Sequence, residues 1–241
     1  MELIQKAYSK INLSLDIIKR LSSGYHKIES VIQELELHDI IKLKKIEKGI
    51  KLKCNINICP DNENLAYKAA ELLIKNFKIN QGVEITIEKN IPIAAGLGGG
   101  SADAAATLKG MNKLFNLNLS EEGLIEISKS IGMDVPFFIL GSTVHATGRG
   151  ENVKRIETLA NNIYFVLAKP NFNISTKNAY ENLDYEKTGK QLKTAEMLNA
   201  IREKDIKKIA DNLHNDFEYS VCREYPIINE IKQKMIENKE L

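Results

Sequence analysis

The sequence predicts an α+β fold, in which a strand-rich first third is followed by mostly helical chain. Three observations point there. Alternating apolar and polar residues recur early, as in "INLSLDI" and "IIKLK". A helix, a strand, a glycine cluster and an alanine-rich helix then succeed one another between residues 61 and 115. Beyond residue 190 the apolar residues recur at helical spacing.

Taken in order, residues 10 to 17 and 30 to 53 read as strands, with "RLSSGYH" and "EKG" as turns. "DNENLAYKAAELLIKNF" places Leu65, Ala69, Leu72, Leu73 and Phe77 on one helical stripe, opened by Asp61 or Asn62 as cap. "VEITIEK" alternates as a strand and leads into "PIAAGLGGGSADAAATL". The helix after the glycines carries Ala102, Ala105, Ala106, Leu108 and Phe115. "SEEGLIEISKSIG" makes a second helix, capped by Ser120 and ended by Gly132, that is expected to pack against it. "NIYFVLAKP" reads as a buried strand, and "TAEMLNAIREKDIKKIADNL" and "YPIINEIKQKMIEN" as amphipathic helices. The change of composition near residue 155 suggests two domains, 1–155 and 156–241.

Composition narrows the function classes. Of 241 residues, 43% are hydrophobic and 27% charged, an ordinary globular balance. No segment approaches the length of a membrane span or a signal peptide, which predicts a cytoplasmic location without membrane contact. A net charge of +2 supplies no global field for nucleic acid. Cys54, Cys59 and Cys222 lack metal-site spacing and read as free thiols, and the four histidines form no ligand pair.

Gly96, Gly98, Gly99 and Gly100 stand between a strand and a helix, with the Ser101 hydroxyl next in the chain. Glycine lets a ligand approach the main chain, and a helix N-terminus offers unpaired N–H groups, so this arrangement is an anion cradle, most often for phosphate. No Lys-Ser/Thr comes after the last glycine, and Ser101 stands where a dinucleotide fingerprint has its third glycine. The loop is therefore of a third kind. "PIAAGLGGGSADAA", from Pro92 through Leu97 into the helix, strongly resembles the phosphate loop of the GHMP kinase superfamily. "KAYSKINLSLDI" with "GYH", "GMDVPFF" and "TGRGE" look like the branch of that superfamily that uses ATP to phosphorylate the 2-hydroxyl of 4-diphosphocytidyl-2-C-methyl-D-erythritol in the non-mevalonate isoprenoid pathway.

The resemblance runs from about residue 5 to residue 238. It implies a two-domain GHMP kinase fold, with an N-terminal domain like domain 2 of ribosomal protein S5 and a ferredoxin-like C-terminal domain, the active site lying between them. It implies ATP and Mg2+, a small-molecule cytidine diphosphate substrate, no nucleic acid partner, and a monomer or homodimer. Asp134 of "GMDVPFF" then corresponds to the catalytic aspartate, although its position before Pro136 suits a simple helix cap equally. Lys10 corresponds to a lysine beside that aspartate, and Asn12 to a contact with the methylerythritol end. Tyr25, His26 and Tyr180 correspond to cytosine-facing groups, with Thr176 a weaker substrate candidate. Asn64 and Lys89 flank the loop on the adenosine side, and Ser101 is the candidate magnesium ligand. "TGRGE" is expected to give structural support only. Family members continue past "INEIKQKMIEN" into a Ser-Gly-x-Gly segment, so the C-terminal domain is expected to be incomplete here. Two alternatives stay open at this point: another small-alcohol kinase of the superfamily, or a catalytically silent nucleotide-binding module.

Overall fold

The computed structural model describes residues 2–57, 59–159 and 163–238, without the side chains of residues 176 and 177. Its spine is a long antiparallel hairpin of β1 (Glu2–Arg20) and β2 (His26–Ile46). The far half of β2 pairs with β4 (Gly82–Glu88), and β4 with β3 (Ile50–Cys54). The near half pairs with β5 (Thr143–Gly148), and β5 with β6 (Asn152–Arg155). One strand thus serves two branches of one sheet. β1 carries a bulge at Leu13, where Asn12 faces Ile32 and Ser14 already faces Val31. The extra residue bends the strand, and Ser14 and Asp16 are buried along with Leu13 and Leu15 because the segment at Lys193 and Thr194 covers them.

α1 (Leu65–Asn76) lies against β3 and β4, and α2 (Gly99–Leu114) against β1 and β2. Asn64, not Asp61 or Asn62, caps α1, its side chain accepting the Ala66 N–H at 2.9 Å. The residues 61–63 before it form a separate short turn of 3-10 helix, which moves the cap downstream. Phe77 falls past the last turn and is exposed. α2 has few large side chains because it is enclosed on several sides. Ala102, Ala104, Ala105 and Ala106 are all buried, and a Cβ on Gly110 would lie 2.3 Å from Leu43. α3 (Glu121–Ser128) is capped by Ser120 as expected, yet α2 packs chiefly on α1 and on α4 (Val135–Leu140), while α3 packs on α4.

From residue 156 onward the architecture changes. Residues 163–170 form no strand. Phe165 is half-buried beside Leu13, while Tyr164, Val166 and Leu167 are exposed. The apolar run there is genuine, but among the described residues no neighbouring strand offers N–H and C=O partners, and a strand needs them. The chain then turns helical, through α5 (Thr176–Glu181), α6 (Thr194–Glu203), α7 (Ile206–Asp211), α8 (Glu218–Glu224) and α9 (Ile227–Glu237). The single helix expected over 194–213 breaks at Lys204, which is left-handed (φ 54°), and restarts at the Asp205 cap. Two-residue β7 (His214–Asn215) runs parallel to β1 at Ser14 and Leu15.

Buried carboxylates attach this region to β1. Asp16 accepts the N–H groups of Lys193 and Thr194 at 3.1 and 2.8 Å, and Asp216 accepts those of Ile17 and Gly189 at 2.6 and 3.1 Å. His214 sits between the two, its Nε2 3.2 Å from Asp216 and 3.8 Å from Asp16. A buried carboxylate is costly unless its oxygens are satisfied, and here Asp16 closes two main-chain donors across the seam while Asp216 closes one across it and one within its own segment.

Candidate active site

A cleft of about 1300 Å³ runs along the hairpin between the glycine loop and α5. The loop forms one wall. Gly96 and Gly98 take φ of 74° and 72°, a conformation that favours glycine, and α2 begins at Gly99. The first helical bond runs from Ala102 N–H to Gly98 C=O, so the N–H groups of Gly99, Gly100 and Ser101 have no intrahelical acceptor. Their partial positive charge, at the head of a 16-residue helix, faces the cleft. Gly98 also serves the packing of the loop. A Cβ there would meet the Phe138 ring at 2.5 Å and Lys10 at 3.2 Å, so Gly98 keeps the loop in close contact with α4 and β1. A bond from Lys10 N–H to Leu97 C=O, 3.1 Å, fastens the loop to the strand.

Beneath the loop lies a buried charge cluster. The Lys89 ammonium contacts both Asp39 and Asp103, the latter at 2.8 Å. Asp39 also accepts the N–H groups of Asn90 and Ile91, which fixes the chain entering the loop. Asp103 has one unpartnered oxygen, and burial pushes its carboxyl up to about 7 despite Lys89. Burial opposes the charge on Lys89, but its two carboxylates prevail and raise its pKa.

Asp134 stands at the N-cap position of α4, but its side chain makes no capping bond. Among the described residues its carboxylate has no hydrogen bond or ion pair at all. It is half-buried, beside Gly150 and near enough to Tyr180 to help raise that phenol, after burial, to about 12. Lys10 is buried and donates to Asn12 Oδ1 at 3.0 Å; it shares the cleft with Asp134 without pairing to it.

The far wall is aromatic. His26, the first residue of β2, is buried and stacks on Tyr180 (4.9 Å, 16°), which lies in α5 and not in a loop. Phe217 meets Tyr180 edge-on at 4.7 Å. Tyr25 is exposed, with the Arg149 guanidinium 5.2 Å over its ring. Every residue singled out from the sequence lines this cleft except Thr176, whose side chain lies outside the described residues.

Sequence reasoning missed Asp39, Asp103, Arg149, Tyr185 and Phe217. Asp103 left a trace, since a charged residue among the inward-facing alanines of a helix must find a buried partner. "TGRGE" does more than the structural support expected of it, because Arg149 reaches the cleft itself.

Residues 64–142 match the family model of the GHMP kinases N terminal domain. A 4-diphosphocytidyl-2-C-methyl-D-erythritol kinase of Caldicellulosiruptor bescii is 46% identical over 238 residues, covering 98% of this chain and 83% of that protein. One from Clostridium botulinum is 45% identical, covering 98% and 84%. A crystal structure of a 4-(cytidine 5'-diphospho)-2C-methyl-D-erythritol kinase superposes with a TM-score of 0.79 at 28% identity, covering 98% of this chain and 83% of that one. A homoserine kinase from Cytophaga hutchinsonii, at 15% identity and a TM-score of 0.73, shares the fold. With near-complete coverage at this identity, and with the glycine loop, Asp134 and the aromatic wall gathered in one cleft, the chain belongs to the 4-diphosphocytidyl-2-C-methyl-D-erythritol kinase family of GHMP kinases.

Proposed function

We propose that this chain transfers the γ-phosphoryl group of ATP to the 2-hydroxyl of 4-diphosphocytidyl-2-C-methyl-D-erythritol, a step of the non-mevalonate isoprenoid pathway. The observation that carries the reading is Asp134, a half-buried carboxylate with no partner among the described residues, set between a phosphate cradle and an aromatic wall. A capping aspartate would be bonded to its helix; this one is available to a substrate.

In this reading the N–H groups of Gly99, Gly100 and Ser101 hold the nucleotide phosphates, with Pro92, Gly96, Leu97 and Gly98 shaping the loop. Asn64 and Lys89 lie on the adenosine side. Asp134 accepts the proton leaving the acceptor hydroxyl, and the Lys10 ammonium steadies the charge that moves with the phosphoryl group. Asn12, fixed by Lys10, faces the methylerythritol end. Tyr25, His26 and Tyr180 enclose the cytosine, with Thr176 beside them. Magnesium fits the Ser101 hydroxyl, which makes no hydrogen bond among the described residues; bound there it would neutralise phosphate charge. A division into two domains near residue 155 agrees with the packing, since the largest apolar cluster draws on residues 3–153.

The test is Asp134→Ala. Its kcat should fall by a factor on the order of 10² to 10⁴, as for loss of a general base, while ATP affinity changes little. Undiminished turnover would show that Asp134 does not take the proton from the acceptor hydroxyl.

A further inference from the structure

The cytosine-facing histidine has a partner with no part in the phosphoryl transfer. His26 Nε2 lies 2.8 Å from the hydroxyl of Tyr185, and the two rings lie nearly parallel (23°) with centroids 6.1 Å apart. Both side chains line the cleft. Tyr185 is itself half in solvent, but its backbone is held from both sides. Leu183 is buried against Leu15, Ile17 and Ile28. Asp184 closes a turn by accepting the N–H groups of Glu186, Lys187 and Thr188. Gly189 is fastened to Asp216 and so close to β1 that a Cβ would lie 2.7 Å from Ile17 C=O. A hydroxyl so placed does not need to search for the imidazole.

Burial, and then the Arg20 charge, lower the pKa of His26, so the ring is neutral and one nitrogen carries the proton. A phenol is a better donor than a neutral imidazole N–H, and an imidazole sp² nitrogen is a better acceptor than a phenol oxygen. The O–H therefore donates to Nε2, and the ring proton sits on Nδ1. Among the described residues Nδ1 has no hydrogen-bond partner, so its N–H is available to a ligand.

We propose that Tyr185 is a positioning residue for base recognition, its hydroxyl holding His26 in the Nδ1–H tautomer so that the ring offers a donor to the acceptor edge of cytosine. This rests on the cytidine reading of the site and deepens it. Cytosine N3 accepts a hydrogen bond where uracil N3 carries a proton, so a fixed donor favours the cytidine nucleotide and leaves the uridine one mispaired.

Tyr185→Phe removes the hydroxyl and keeps the ring. Nitrogen-15 spectra of His26 in the unliganded protein, together with calorimetric titration of CDP and UDP, test the idea. The wild type should show the Nδ1–H pattern and the variant a shift toward Nε2–H. The preference for CDP over UDP should narrow by about fivefold, the size of one hydrogen bond, and KM for the cytidine substrate should rise more than kcat falls. An unchanged tautomer with an unchanged CDP-to-UDP preference, in a wild type that binds CDP, would overturn the inference and leave the cytidine reading intact. A wild type that binds neither nucleotide would overturn both.

Discussion

The glycine-loop wall and the aromatic wall of the cleft are built by different forces. The loop sits on a continuous apolar core of sheet, α1, α2 and α4, in which residues such as Leu43, Leu73, Ile85, Leu108 and Phe137 are fully buried. The aromatic wall stands on short helices with small clusters beneath them, and α9 has no buried residue at all. Its attachment to β1 depends on two carboxylates and the main-chain donors they satisfy. Apolar contact is spread over many atoms and tolerates the loss of a few, whereas a buried polar seam loses a discrete amount when one group is removed. Substitutions in the first region should act through the geometry of one loop, and those in the second through the position of a whole segment.

The largest effect is expected where the loop meets the core. Gly98→Val forces a branched side chain into φ 72° and against the Phe138 ring, so the loop must move and ATP binding should be lost. Calorimetry with ATP, checked by circular dichroism for an intact fold, measures this. Unaltered ATP affinity would show that the close contact is dispensable. Asp216→Ala should come next. It leaves the N–H groups of Ile17 and Gly189 without acceptors, a cost on the order of 2–4 kcal/mol, visible as a lower midpoint in denaturant. Because the lost contacts carry the aromatic wall, where the cytidine is proposed to bind, CDP affinity should fall more than ATP affinity. Equal losses for both ligands would erase the contrast between the two walls.

The smallest effect concerns pH and sharpens the comparison within the glycine-loop wall. The Asp103 carboxyl is raised by burial from 3.8 to about 7, so the stability it contributes is present in acid and is lost as pH rises from 3.8 to about 7. Asp103→Asn removes that titration. The difference in melting temperature, variant minus wild type, should therefore move in the variant's favour between pH 5 and pH 8. A difference that is flat across that range would mean that Lys89 keeps Asp103 ionised throughout.

Locally encoded features were legible. The glycine loop, the α2 alanines, the Ser120 cap and the order of the early strands derive from residue type and spacing within a turn or two of chain. So does the position of Asp134 ahead of a helix, although its local context fits a cap as well as a base. Where local reading failed, something distant had intervened. Residues 163–170 form an apolar run like a buried strand yet lack a neighbour to pair with among the described residues, and the polar side chains of Ser14 and Asp16 are buried because the distant segment at Lys193 and Thr194 folds over them.

By itself, then, the sequence determined the glycine loop ahead of α2 and many of the residues that line the cleft, because glycine torsions and helix ends are properties of short stretches, and the resemblance it carries pointed to the chemistry. Only the tertiary structure decided that Lys89 joins Asp39 to Asp103, that Asp216 reaches Ile17, and that Tyr185 meets His26. The last two contacts join residues 199 and 159 positions apart. Such contacts leave no periodic trace, because what places the partners together is the burial of everything between them.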